Sequence, residues 1–205
     1  MANRSHRLLA GILLVTLCML LSPGAPAQDK WFQVEVIVFE RLDDDALSAE
    51  SWPPDPGRPP VDDSIELVAA GETPGEETAT FAYRLLDRSQ LNLRDSYGGL
   101  RYSKAFRPLL HHAWRQPGLR QNHARWVHLY VPPDGEGGFA AAAPRVDGTL
   151  RVYLSRYLHV DADLLYRRRG VETPFRLQTS RRMRSGELHY LDHPLFGVLI
   201  LIKPV

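Results

Sequence analysis

The densest run of side chains able to do chemistry is Arg181-Arg182-Met183-Arg184-Ser185-Gly186-Glu187-Leu188-His189-Tyr190-Leu191-Asp192-His193-Pro194. It sets His189 and His193 four residues apart, with Asp192 between them and three arginines upstream. Ser185-Gly186 reads as a turn. A second histidine pair, His111-His112, lies close to Trp114 in the middle of the chain. Imidazole and carboxylate groups together can hold zinc, so these histidines and Asp192 are a candidate metal set. The spacing His-x-x-Asp-His, however, lacks the glutamate of a His-Glu-x-x-His helix. The same residues make a hydrogen-bonded structural network equally well, with Asp192 orienting an imidazole. A third reading is a ligand-binding surface made of Arg181, Arg182, Arg184, His189, Tyr190, Asp192 and His193, with His112 and Trp114.

Other chemistry finds less support. There is no Gly-x-Ser-x-Gly elbow and no Ser-x-x-Lys, so no serine is marked as a nucleophile. The glycine-rich stretch Gly135 to Gly138 lacks the Lys and Ser/Thr of a phosphate loop. Asp43-Asp44-Asp45 lacks the glycine turn and distal Glu of a calcium loop and reads as a solvated turn. No catalytic residue, metal or cofactor is assigned. Trp114, Trp126 and Tyr130 could stack on sugar rings, or simply belong to a core.

The elements that must position these groups are mostly strands. Trp31 to Arg41 places Phe32, Val34, Val36 and Val38 on one face and Ile37 and Phe39 on the other, the pattern of a central strand. Leu42 to Glu77 is acidic and proline-rich and reads as a long excursion, with a short element near Ile65 to Val68 packing back. The spacing of Leu85, Leu86, Leu93 and Tyr97 predicts a helix over Phe81 to Leu100, stopped by Gly98-Gly99. Pro108 argues against a helix over Tyr102 to Arg115 and favours an edge or bulged strand. Pro132 to Pro144 is a loop. Period-two runs over Arg125 to Val131, Gly148 to Tyr157, His159 to Arg167 and Thr173 to Met183, and the apolar run Phe196 to Ile202, predict further strands with antiparallel neighbours. The expected fold is a single α+β domain: a mainly antiparallel sheet with one or two helices packed on a face.

The N-terminus bounds the compartment. Arg4, His6 and Arg7 precede an apolar run from Leu8 to Leu21, followed by Ser22-Pro23-Gly24 and Ala25-Pro26-Ala27. This is the layout of a cleavable secretory signal over residues 1–27, with the cut after Ala27. The run is too short for a span of about 20 residues, so no membrane anchor is expected after cleavage. The working form is then residues 28–205, in the periplasm. The only cysteine, Cys18, leaves with the signal, so the core must hold the fold without a disulfide.

Of the 205 residues, 25 are Lys or Arg and 24 are Asp or Glu. The balance hides a split: residues 28–100 are strongly acidic, and residues 101–205 are strongly basic and rich in arginine. Either the halves neutralise each other, or the basic half faces an anionic partner through guanidinium forks suited to carboxylate and phosphate. Nucleic acid is not expected in the periplasm.

Two stretches also carry a family resemblance. The strand Phe32 to Arg41, directly after a signal peptide, resembles the start of the CsiV family of small periplasmic proteins. Arg181 to Gly197, running into the last apolar strand, is similar to that family's C-terminal signature, and Leu109-Leu-His-His-Ala-Trp-Arg-Gln116 fits between them. The resemblance implies a non-catalytic protein that binds peptidoglycan. It also implies support of cell-wall synthesis and cell shape, through an outer-membrane lipoprotein that activates a class A penicillin-binding protein. It brings no ligand residues with it.

Overall fold

The computed structural model describes residues 30–69, 82–133 and 143–205. The signal segment, most of the 132–144 loop and the acidic residues 70–81 lie outside these. Strand β1 (Trp31–Arg41) is as the alternation predicts. It is central, flanked by antiparallel β2 (Phe106–Pro117) and β8 (Phe196–Pro204), and β7 (Leu188–Asp192) pairs outside β8. β2 is bulged as well as outermost: the register slips between Val38 and Phe39, opposite Pro108, where proline cannot donate to the ladder.

The remaining strands form a second sheet rather than extending the first. β3 (Val127–Val131), β4 (Val146–Leu154), β5 (Leu158–Tyr166) and β6 (Phe175–Met183) pair antiparallel in that order. The single sheet expected is thus corrected to two, while the antiparallel pairing holds. The physical reason is visible in the core. Val34, Val36, Val38, Val198, Ile200 and Ile202 of the first sheet share one buried cluster with Leu150, Val152, Val160, Ala162, Leu164 and Leu177 of the second. One apolar face of each sheet is buried against that of the other.

The helical expectation over 81–100 also needs correction. Tyr83 and Leu86 donate backbone N–H groups to Arg115 and Ala113 of β2, and Leu85 bridges to Trp114. Residues 83–86 are therefore strand-like, because the unpaired edge of β2 offers hydrogen bonds that local helix propensity cannot match. Two helices are seen among the described residues. α1 (Asp45–Ala49) is a single turn inside the acidic excursion, and Ile65 bridges to Val127 just where a returning element is expected. α2 (Arg94–Tyr102) lies beside β2, and Leu93, Tyr97 and Leu100 cluster with Ile37, Leu199 and Leu201.

Gly98 and Gly99 sit inside α2 rather than ending it. A Cβ added at either would meet nothing within 4 Å. Gly98→Ala and Gly99→Ala should each stabilise the protein by about 0.5–1 kcal/mol, because glycine loses more backbone entropy on entering a helix. Thermal melts of the single variants check this. Gly148 is the opposite case: a Cβ there would stand 2.2 Å from the Asp163 carbonyl oxygen and 2.7 Å from Leu164 Cα. Gly148→Ala should force β4 and β5 apart and cost about 3 kcal/mol in chemical unfolding.

Candidate functional site

The structure takes the 181–194 run apart. The β6–β7 connection crosses from one sheet to the other, and β7 is extended. His189 and His193 face the same way but stand about 13 Å apart along the chain, at about 3.3 Å per residue. His193 is buried against Trp52 and Phe196, with ring centroids 5.3 and 4.7 Å away, and its Nδ1 accepts from the Leu195 N–H at 3.2 Å. Tyr190 and Asp192 point to the other face. The Tyr190 ring stacks on Phe39, and its hydroxyl donates to Asp192, which Arg41 also holds at 3.3 Å. Burial, and then Asp192, pushes the Tyr190 phenol up to about 12. Among the described residues no group of three or more His, Cys, Asp or Glu is placed to hold a metal ion.

The other candidates scatter too. Trp114 is fully buried in the core, donating Nε1–H to Gln116 at 2.9 Å. The Nδ1 of His112 is buried without a partner, and burial lowers this imidazole's pKa. Trp126 carries the Arg151 guanidinium 4.3 Å from its ring centre, while Tyr130 is exposed.

Burial also holds the His193 imidazole down at about 4, only partly offset by Asp192. Its ordinary value is 6.5, so the unfolded chain binds more protons between these limits. The stabilisation is complete above pH 6.5 and is lost as pH falls towards 4, by about 3 kcal/mol at full extent. His193→Leu should flatten that part of the stability curve in urea titrations at pH 4.5 and 7. An unchanged slope would show that another group sets it.

The arginines sort differently. Arg176 grips Asp163 through two bonds of 2.7 Å, and Arg151 holds Asp161 at 2.6 Å. Arg107, Arg145 and Arg168 pair with Glu40 or Asp44 of the acidic half. Part of the charge split is therefore neutralised within the fold, at Glu40 and Asp44. Arg181 donates to the Tyr190 carbonyl oxygen at 2.7 Å and ties β6 to β7.

Arg182 and Arg184 instead reach one end of the sandwich. There β1 begins, β8 ends, and the β4–β5 and β6–β7 turns project, leaving a groove of about 970 Å³. Its walls include Trp31, Leu154, Leu158 and Met183, and its cationic side chains are Lys30, Arg156 and Arg184. Among the described residues no acidic side chain lines it. Tyr157 is 44% exposed there, with the Arg182 and Arg156 guanidiniums 4.8 and 5.5 Å from its ring centre. His189 Nε2 accepts the Arg184 backbone N–H at 3.1 Å, and Gly186 takes a positive φ of 80° in the same turn. His189 thus fixes the turn from which Arg184 projects. Arg184 makes one exposed contact, with Glu187 at 3.5 Å, a pair of little energetic weight.

Of the candidates read from sequence, Arg184 lines this groove, Arg182 stands over its tyrosine and His189 supports its rim. Lys30, Trp31, Arg156 and Tyr157 were missed. The available signal was Arg156-Tyr157, a cation beside an aromatic at a turn between two strands. An aromatic floor with cations and no acidic side chain among the described residues can take a ligand with apolar ring faces and carboxylate groups.

No helix among the described residues is long and apolar enough to cross a membrane. No curated protein and no solved structure matches the chain. The model of one family, described as "Peptidoglycan-binding protein, CsiV", matches residues 8–205. That is nearly the whole sequence, including the strand, the β2 segment and the β6–β8 tail analysed above, and the chain belongs to the CsiV family of peptidoglycan-binding proteins.

Proposed function

We propose that the chain works in the periplasm after loss of residues 1–27, as a non-catalytic protein that holds peptidoglycan in the end groove. In this reading it supports cell-wall synthesis and cell shape by assisting a class A penicillin-binding protein through that enzyme's outer-membrane lipoprotein activator. The observation that carries the polymer reading, beside family membership, is the pairing of Tyr157 and Trp31 with Lys30, Arg156 and Arg184 in a groove without acidic side chains. Peptidoglycan offers sugar rings to the aromatics and stem-peptide carboxylates to the guanidiniums, whose planar forks suit bidentate pairing.

Retention on purified sacculi across a salt series tests it. Binding at low salt should weaken as screening shortens the reach of the exposed cations. No retention at low salt would leave an envelope adaptor without polymer affinity as the better account. N-terminal sequencing of the exported form should begin at Gln28, the residue after Ala27.

A further inference from the structure

A second cavity, sharing no residue with the groove, lies between α2 and β2. It is about 380 Å³ and is lined by Arg88, Arg94 and Arg101 together with Tyr97, His111 and Leu86. Among the described residues no acidic side chain lines it. Arg94, Tyr97 and Arg101 stand at i, i+3 and i+7 of α2, so they share one helix face. Arg88 comes from the single 3-10 turn (Arg88–Gln90) just before. Among the described residues none of the three arginines has an ion pair or side-chain hydrogen bond, unlike Arg107, Arg145, Arg151, Arg168 and Arg176.

The frame beneath these arginines is held firmly. Tyr97 stacks on His111 at 5.1 Å, and His111 Nε2 meets Glu35 Oε1 at 2.8 Å. The same fully buried carboxylate accepts the backbone N–H groups of Asn92 at 2.7 Å and Leu93 at 2.8 Å, and Asn92 Nδ2 at 3.2 Å. Its hydrogen bonds outweigh desolvation and keep its pKa below the ordinary value. Glu35 therefore anchors the start of α2 to β1 and has no further oxygen capacity to offer the arginines. The three guanidiniums line one cavity, and among the described residues no acidic side chain pairs with them.

We propose that this cavity is a binding site for a small oxyanion of two or three negative charges, a phosphate or a polycarboxylate. Guanidinium forks would pair its oxygens, and the leucine walls would limit competition from water. A volume of this size accepts a small molecule or the charged end of a larger one.

Titration of the purified protein with inorganic phosphate and, separately, with citrate, followed by amide shifts in NMR spectra, tests this. At least one probe should give saturable shifts on α2 and β2. Arg94→Gln with Arg101→Gln should weaken that binding at least about tenfold, while Arg156→Gln with Arg184→Gln should leave it unchanged. Glutamine keeps the helix propensity at these exposed positions, so the fold is retained. The probe that binds more tightly identifies the class as phosphate or carboxylate. Absence of saturable shifts from both probes up to about 10 mM, or equal affinity in the Arg94 and Arg101 variant, would overturn the site.

Discussion

Glu40→Gln should lower the stability of the protein by about 3–5 kcal/mol, a large share of what a domain of this size has to lose. Glu40 ends β1 on its inner face and is 3% exposed. Arg145 reaches it at 2.5 Å, Tyr166 donates its hydroxyl at 2.5 Å, and Arg107 closes from the rim at 3.1 Å. Arg145 is itself buried and lies over the Tyr166 ring at 5.8 Å. The Tyr166 phenol is driven far above its ordinary range, first by burial and then by the carboxylate it bonds. The network therefore clamps the two sheets at one end of the sandwich.

Glutamine preserves the shape and removes the charge that the buried Arg145 and the Tyr166 hydroxyl both bond. The cost comes from breaking a buried charge pair rather than from any large net worth of the pair. For the same reason the all-apolar replacement Glu40→Leu, Arg145→Met, Tyr166→Phe should regain most of the loss. Urea unfolding of the single and triple variants checks both. A single variant within about 1 kcal/mol of the parent would mean that water reaches the network.

Arg156→Ala with Arg184→Ala should weaken retention on sacculi by about a hundredfold at low salt. Charge-assisted hydrogen bonds are worth about 1.5–3 kcal/mol each. These arginines reach into solvent, so the lower figure applies, and two such losses make about 3 kcal/mol, or two decades in affinity. The two residues come from different turns, β4–β5 and β6–β7, and flank Tyr157 and Met183. The stability of the double variant should hardly change, because Arg184 makes only the long exposed contact with Glu187. Unchanged retention with an intact fold would remove the groove from the binding reading while leaving the family intact.

The His111-His112 pair illustrates why sequence spacing misleads in a strand. Adjacent positions face opposite sides of a sheet. His111 meets Glu35 and Tyr97 beside α2, whereas the Nδ1 of its neighbour is buried without a partner. The 81–100 segment shows the other failure. Leu85 and Leu86 have helical spacing with Leu93, yet the open edge of β2 captured them as a strand. β7 went unread because the polar letters of Leu188 to Asp192 suggested a site rather than a ladder.

By itself the sequence determined the local elements whose pattern is strong. These are β1 with apolar residues on both faces, the alternating strands β3 to β6, the closing β8, and the proline that bulges β2. It also carried the family signature at both ends of the domain. Period-two alternation and proline geometry act over a few residues, so they can be read without knowing what packs where. Tertiary structure alone decided that the eight strands among the described residues divide into two stacked sheets, because either apolar face could be covered by a helix or by another sheet. It also decided which polar groups meet. Lys30, Arg156 and Arg184 share a groove although more than a hundred residues separate the first from the others. His189 and His193, four residues apart, do not share a site, because an extended chain carries them to opposite ends of β7.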